Sequence, residues 1–212
     1  MRAKNNSFSI VLIGAWNPSI FSQDWLLKYV CEEGTNDISV AFPIDDPTAP
    51  RKIDFNGLSI YPGRKQLVLT PVKPTVEGIK ICAEIATKIL NVLIHTPIVM
   101  CGINFAFEEE NNLGDIFGAL NLSDENKIDN NSYRLELKNS SRQFRLSDGN
   151  ILNLMLSDED SKGQIKFNFH YELGDIIMYR NLLTSARVEG LFSEAVDFCK
   201  NVYGLNLEEF NE

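Results

Sequence analysis

Between Leu67 and Phe107 the spacing of apolar residues changes period twice, and the rest of the chain reads outward from that stretch. Leu67, Val68 and Leu69 form a strand-like run that stops at Pro71. Pro74 and Thr75 then open a pattern in which Val76, Ile79, Cys82, Ala83, Ala86, Ile89, Leu90 and Leu93 recur every three or four residues. One broad apolar stripe predicts a helix over residues 76–94 with one buried face and Lys88 on the polar side. Thr75 is the expected N-cap, because its hydroxyl accepts from a free amide of the first turn, and Glu77 sits where the helix dipole favours an anion. Thr96-Pro97 ends the pattern. From Ile98 the period is two: Val99, Cys101, Ile103, Phe105 and Phe107 face the helix, while Ile98, Met100, Gly102, Asn104 and Ala106 face the other way.

Upstream, Phe8, Ile10 and Leu12 alternate with smaller or polar residues as a first strand ended by Gly14 and Asn17-Pro18. A helix follows, capped by Asn17 or by Ser22, that aligns Phe21, Trp25, Leu26, Tyr29 and Val30 and stops at Gly34. Ile38, Val40 and Phe42 alternate as a second strand before a proline-spaced loop, residues 43–50. Leu58, Ile60, Leu67 and Leu69 around Pro62-Gly63 predict a hairpin that feeds the central helix.

Beyond Phe107 the composition turns polar, with a short helical pattern at 113–120 and a run of polar residues at 121–131. Tyr133, Leu135 and Leu137, then Phe144 and Leu146, Ile151 to Leu156, and Ile165 to Tyr171 predict a four-stranded meander. Its turns fall at Asn139-Ser140-Ser141, Asp148-Gly149 and residues 158–163. A final helix, capped by Thr184 or Ser185, carries Val188, Leu191, Phe192, Ala195, Val196, Cys199, Val202 and Tyr203 up to Gly204. These elements predict an α+β fold: a largely antiparallel sheet with long amphipathic helices packed on one face. The order of elements reads as two similar halves, residues 1–120 with the central helix and residues 121–212 with the meander and last helix, forming one compact unit.

A chain of 212 residues buries enough surface to fold without staples, so Cys31, Cys82, Cys101 and Cys199, scattered along the chain, are expected to be reduced. With no signal-peptide pattern and no apolar run long enough to span a bilayer, the expected protein is soluble and cytoplasmic, without membrane contact. Its net charge of -9 disfavours a phosphate backbone as partner and excludes nucleic-acid binding as the main expectation.

Signatures of nucleotide, phosphate, zinc and serine-hydrolase chemistry are missing from the sequence, and no cofactor or metal is expected. His95 is placed at a helix end and His170 on the polar side of a strand. Glu108, Glu109 and Glu110 follow a buried strand directly, so a ligand-binding site at that strand end would draw on Asn104, Glu108 and the Asp45-Asp46 loop. Arg134, Arg142 and Arg145 alternate with apolar residues of one hairpin and are candidates for an anion or partner-binding patch. The leading expectation is a non-enzymatic protein that binds another protein and self-associates as a homodimer through the pleat of Ile98 and Met100. An enzyme or small-ligand binder with a carboxylate-lined site at the end of strand 98–107 is the alternative.

Overall fold

A computed structural model describes residues 1–31, 37–44, 46, 49–110, 116, 118, 120, 138–159 and 162–208. Among the described residues it has a ten-stranded sheet and four α-helices. The strands are β1 (Arg2–Ala3), β2 (Ser9–Gly14), β3 (Ser39–Ala41), β4 (Lys52–Phe55), β5 (Leu58–Pro62), β6 (Gln66–Pro71), β7 (Ile98–Glu109), β8 (Lys138–Arg145), β9 (Ile151–Glu159) and β10 (Lys162–Tyr171). The helices are α1 (Gln23–Tyr29), α2 (Val76–Val92), α3 (Ile176–Leu182) and α4 (Ser185–Tyr203). From edge to edge the order is β3-β4-β5-β6-β2-β7-β10-β9-β8, with β1 also pairing β7. All pairings described are antiparallel.

Local signals set the helix starts. Thr75 accepts from the Gly78 amide, Thr184 from that of Arg187, and Ser22 from that of Trp25. Asn17 also caps, but a separate 3-10 turn over Pro18–Ile20, so both proposed caps of that region are used. Gly204 ends α4 at φ 66°, the left-handed region that glycine enters without a Cβ penalty.

The central strand carries the core. Cys101, Ile103, Phe105 and Phe107 are buried on one pleat. Phe192 of α4 lies 5.6 Å from Phe105 and 6.2 Å from Phe107, and Phe8 meets Phe105 edge-on at 5.3 Å. Helix α2 packs against β2, β6 and α4 and contributes Ile79, Cys82, Ala83, Ala86, Ile89 and Leu90 to the same apolar cluster. Thr87 donates to the Leu183 carbonyl and the Ser185 hydroxyl to Glu84, which ties α2 to the start of α4. All four cysteines are free.

Several expectations are corrected. Val99, placed among the helix-facing residues, is 54% exposed, because burial on that pleat begins at Cys101. Asn139-Ser140-Ser141 forms no turn: all three lie within β8, whose backbone pairs continuously with β9 from Lys138↔Asp158 to Arg145↔Ile151. Strand β4 was not anticipated, although Ile53 and Phe55 bury its inner pleat and Asn56-Gly57, at φ 48° and 75°, make the tight turn into β5. Helix α3, capped by Asp175, is likewise new. The strand expected at Tyr133–Leu137 and the stop at Gly34 lie outside the described residues. Of the pattern at 113–120, Ile116 and Leu120 are buried.

Candidate functional site

The pleat of β7 that faces away from Phe105 carries Asn104, and β10, β9, β8 and β2 each place a polar side chain directly beside it. Asn168 is opposite Asn104, Asn153 opposite Asn168, Gln143 opposite Asn153, and Ser9 opposite Asn104 on the other flank. These side chains join in one hydrogen-bonded ladder. Gln143 Nε2 donates to Asn153 Oδ1 (2.9 Å), Asn153 Nδ2 to Asn168 Oδ1 (2.9 Å), Asn168 Nδ2 to Asn104 Oδ1 (2.7 Å) and Asn104 Nδ2 to Ser9 Oγ (3.0 Å). A carboxamide has two donor hydrogens and two acceptor lone pairs, so each residue inside the ladder keeps capacity for a ligand after satisfying its neighbours.

A trough of about 460 Å³ opens over this ladder. Its wall is the chain between β1 and β2. Five residues, 4–8, join Ala3 to Ser9, while only two, 105–106, separate their partners Phe107 and Asn104 on β7. The surplus loops out over the pleat, held by Lys4 N–H donating to the Ala106 carbonyl (2.9 Å) and by Asn6 at φ 56°, and it brings Asn5, Asn6 and Ser7 to the trough. Phe8 turns the other way, into the core. Two ammonium groups border the space: Lys4, whose Nζ donates to Gln164 Oε1 at 2.8 Å, and Lys166. Among the described residues no carboxylate, histidine or cysteine lines it.

Gly102 keeps the ladder in place. A Cβ on Gly102 would stand 2.9 Å from Asn168 Nδ2, closer than van der Waals contact allows. Gly102→Ala is therefore expected to push the Asn168 amide off Asn104 without unfolding the chain, since the displaced atom is the end of a side chain. Side-chain amide resonances of Asn104 and Asn168 in a ¹⁵N spectrum should move while the core methyl pattern persists; unchanged amides would show that the ladder does not depend on that space.

The candidates read from the sequence distribute differently. Asn104 is in the ladder. Glu108 shares its pleat, four residues along the strand, but Arg2 Nε donates to Glu108 Oε1 at 2.6 Å and Arg2 Nη2 to Glu110 at 2.6 Å. Lys162 also pairs with Glu110 at 2.9 Å, and with Arg2 it holds that carboxyl below its usual range. The Met1 ammonium lies 2.7 Å from Glu109. These carboxylates neutralise local cations around a small cavity of about 70 Å³ lined by Met1, Arg2, Glu108, Glu109, Glu110 and Glu208. Asp46 lies in the loop after β3, and β3 is five strands from β7, about 24 Å at about 4.8 Å per strand, so it does not meet Glu108. Asp45 lies outside the described residues.

Arg142 and Arg145 do not form a patch. Both stand on β8 three residues apart, and an odd spacing sends side chains to opposite faces. Arg142 sits opposite Leu154 and donates to the Tyr203 hydroxyl (3.4 Å), whereas Arg145 sits opposite Ile151 and donates to the Gly149 carbonyl (3.2 Å). Arg134 lies outside the described residues. His95 is exposed, and His170 Nε2 lies 3.1 Å from Glu172 Oε1.

The sequence signal that was missed is the occurrence of Asn or Gln at an outward position of β7, β8, β9 and β10 alike. Only the strand register shows that Asn104, Asn168, Asn153 and Gln143 fall on one level. Among the described residues no group of three or more His, Cys, Asp or Glu side chains is arranged to hold a metal ion, and no helix is long and apolar enough to cross a membrane. No protein-family model matches the chain, and no curated protein matches it in sequence.

Proposed function

We propose that this protein acts by binding another protein, and that the trough over the carboxamide ladder is its recognition surface. The carrying observation is the unbroken chain of hydrogen bonds from Gln143 to Ser9 across five strands, which presents spare donors and acceptors at strand spacing beneath an open concavity. The rings of Phe192 and Phe198 stack on the other pleat, against Phe105, Phe107 and Phe167, which supports a reading with the helices on that side and the polar side left for a partner. Meanders β4-β5-β6 and β8-β9-β10 flank the β2-β7 pair; the first leads into α2 and the second, through the short α3, into α4, an order that favours two similar halves. Self-association belongs to the same proposal.

A second reading, a small polar ligand in place of a protein, is favoured by the enclosed wall at residues 5–7 and by the size of the trough. With Lys4 and Lys166 as its charged groups, the site suits an anionic, hydrogen-bonding surface or molecule.

Lys166→Glu separates binding from folding, because Lys166 makes no ion pair or hydrogen bond among the described residues. Affinity capture from the native source with the wild type and with Lys166→Glu should yield at least one protein that the variant loses. Identical captured sets, with the variant as stable as the wild type, would reject the trough as the surface.

A further inference from the structure

One row of core residues runs off the edge of the sheet. Leu69, Ile60, Ile53 and Val40 stand opposite one another on β6, β5, β4 and β3. The first three are completely buried, and Val40 is 39% exposed. On the same pleat Ile38 is partly buried against the core and Phe42 is 69% exposed, with Ser39 and Ala41 on the other pleat. Residues 38–44 contain no charge. The opposite edge differs: β8 carries Lys138, Arg142 and Arg145, the kind of charged edge that resists pairing with another chain.

We propose that the outer edge of β3 pairs antiparallel with β3 of a second copy, about a two-fold axis through Val40. The proposal rests on the self-association in the reading above and moves its surface away from Ile98 and Met100, which are already half-buried within one chain. The pattern Ile38-x-Val40-x-Phe42 is self-complementary. Val40 faces its own counterpart, Ile38 meets Phe42 across the axis, and Ser39 meets Ala41. The interrupted row then continues into the second copy as Val40, Ile53, Ile60 and Leu69, and the main-chain groups of that edge, which pair with no other strand among the described residues, find partners. A second copy fits better than a strand of another protein because sequence symmetry about Val40 serves an isologous contact. A patch of this size buries less than the roughly 1,200 to 2,000 Å² of a standard interface, so the dimer forms and dissociates with concentration.

Light scattering coupled to size exclusion, over loadings from low to high micromolar, tests this together with two variants. The wild-type mass should rise from 24.0 kDa toward twice that value. Val40→Lys, at an exposed edge position, should stay at 24.0 kDa at every loading with an unchanged circular-dichroism spectrum. Val40→Cys in a Cys31→Ser background should give a disulfide-linked dimer under mild oxidation, because the two-fold axis sets the two thiols directly opposite each other. Should Val40→Lys misfold, the cross-link decides. A wild-type mass of 24.0 kDa at every loading, without cross-linking, would overturn both the β3 pairing and self-association. A dimer that survives Val40→Lys and gives no cross-link would overturn the β3 pairing and leave self-association standing.

Discussion

Ile89→Asp is expected to leave no cooperative melting transition and to send the protein into aggregates. Ile89 is completely buried on the stripe of α2, within the cluster that joins the helix to the sheet. A carboxylate there has no described cation to pair with, and burying it costs several kcal/mol beyond the lost packing, against a total stability of about 5 to 15 kcal/mol. The matching control is Glu84→Gln, on the exposed side of the same helix, where an exposed hydrogen bond from Ser185 is at stake and the change should stay within about 0.5 kcal/mol. Lys88, expected to be exposed, is a poorer control: it is half-buried and acts electrostatically on Cys31, whose thiol burial raises despite that cation. Similar melting temperatures for Ile89→Asp and Glu84→Gln would show that the stripe of α2 is not the buried one.

The second large effect is expected at Phe105, where the sheet and α4 meet. Its ring is 1% exposed and lies within 5.3 to 6.1 Å of Phe8, Phe192 and Phe169, all in edge-to-face geometry. Truncation removes three ring contacts and leaves a cavity between layers that are each braced by other contacts and collapse only in part. Phe105→Ala should cost about 3 to 5 kcal/mol. For a chain of this length that is a fall in Tm of roughly 6 to 20 °C. Phe144→Ala removes a ring that is 37% exposed and touches Phe198 at 6.2 Å, so it should lower Tm by much less. Calorimetry that ranked the two the other way would show that the core between sheet and helix is not centred on Phe105.

Local periodicity and capping chemistry make α2, α4, β7 and the caps at Thr75, Thr184, Ser22 and Asn17 legible in the sequence, since both act within one or two turns of chain. Misreadings arose where tertiary pairing overrides local preference. Asn139-Ser140-Ser141 has turn composition, yet β9 holds it extended along its full length. Strand β4 is only four residues long, and its clearest mark, Asn56-Gly57, lies between two stretches that draw the eye to prolines. The insertion of β2 between β6 and β7 joins residues 53 to 95 positions apart, which no local pattern encodes. Asn104 was within reach as a candidate because it stands on the polar pleat of a buried strand. Its neighbours Asn168 and Asn153 acquire meaning only through register, since a shift of one residue would turn both into the core. The acidic run 108–110 attracted attention by composition, but its partners Arg2 and Met1 come from the far end of the chain.

The most direct test of the proposed recognition surface is hydrogen-deuterium exchange of the protein alone and with the partner that wild type captures and Lys166→Glu does not. Slowed exchange is expected in peptides covering residues 4–9, 102–106, 153–157 and 164–168, the floor and wall of the trough, with α2 and α4 unchanged. Protection confined to the helices or to β3, with the trough exchanging as in the free protein, would contradict it.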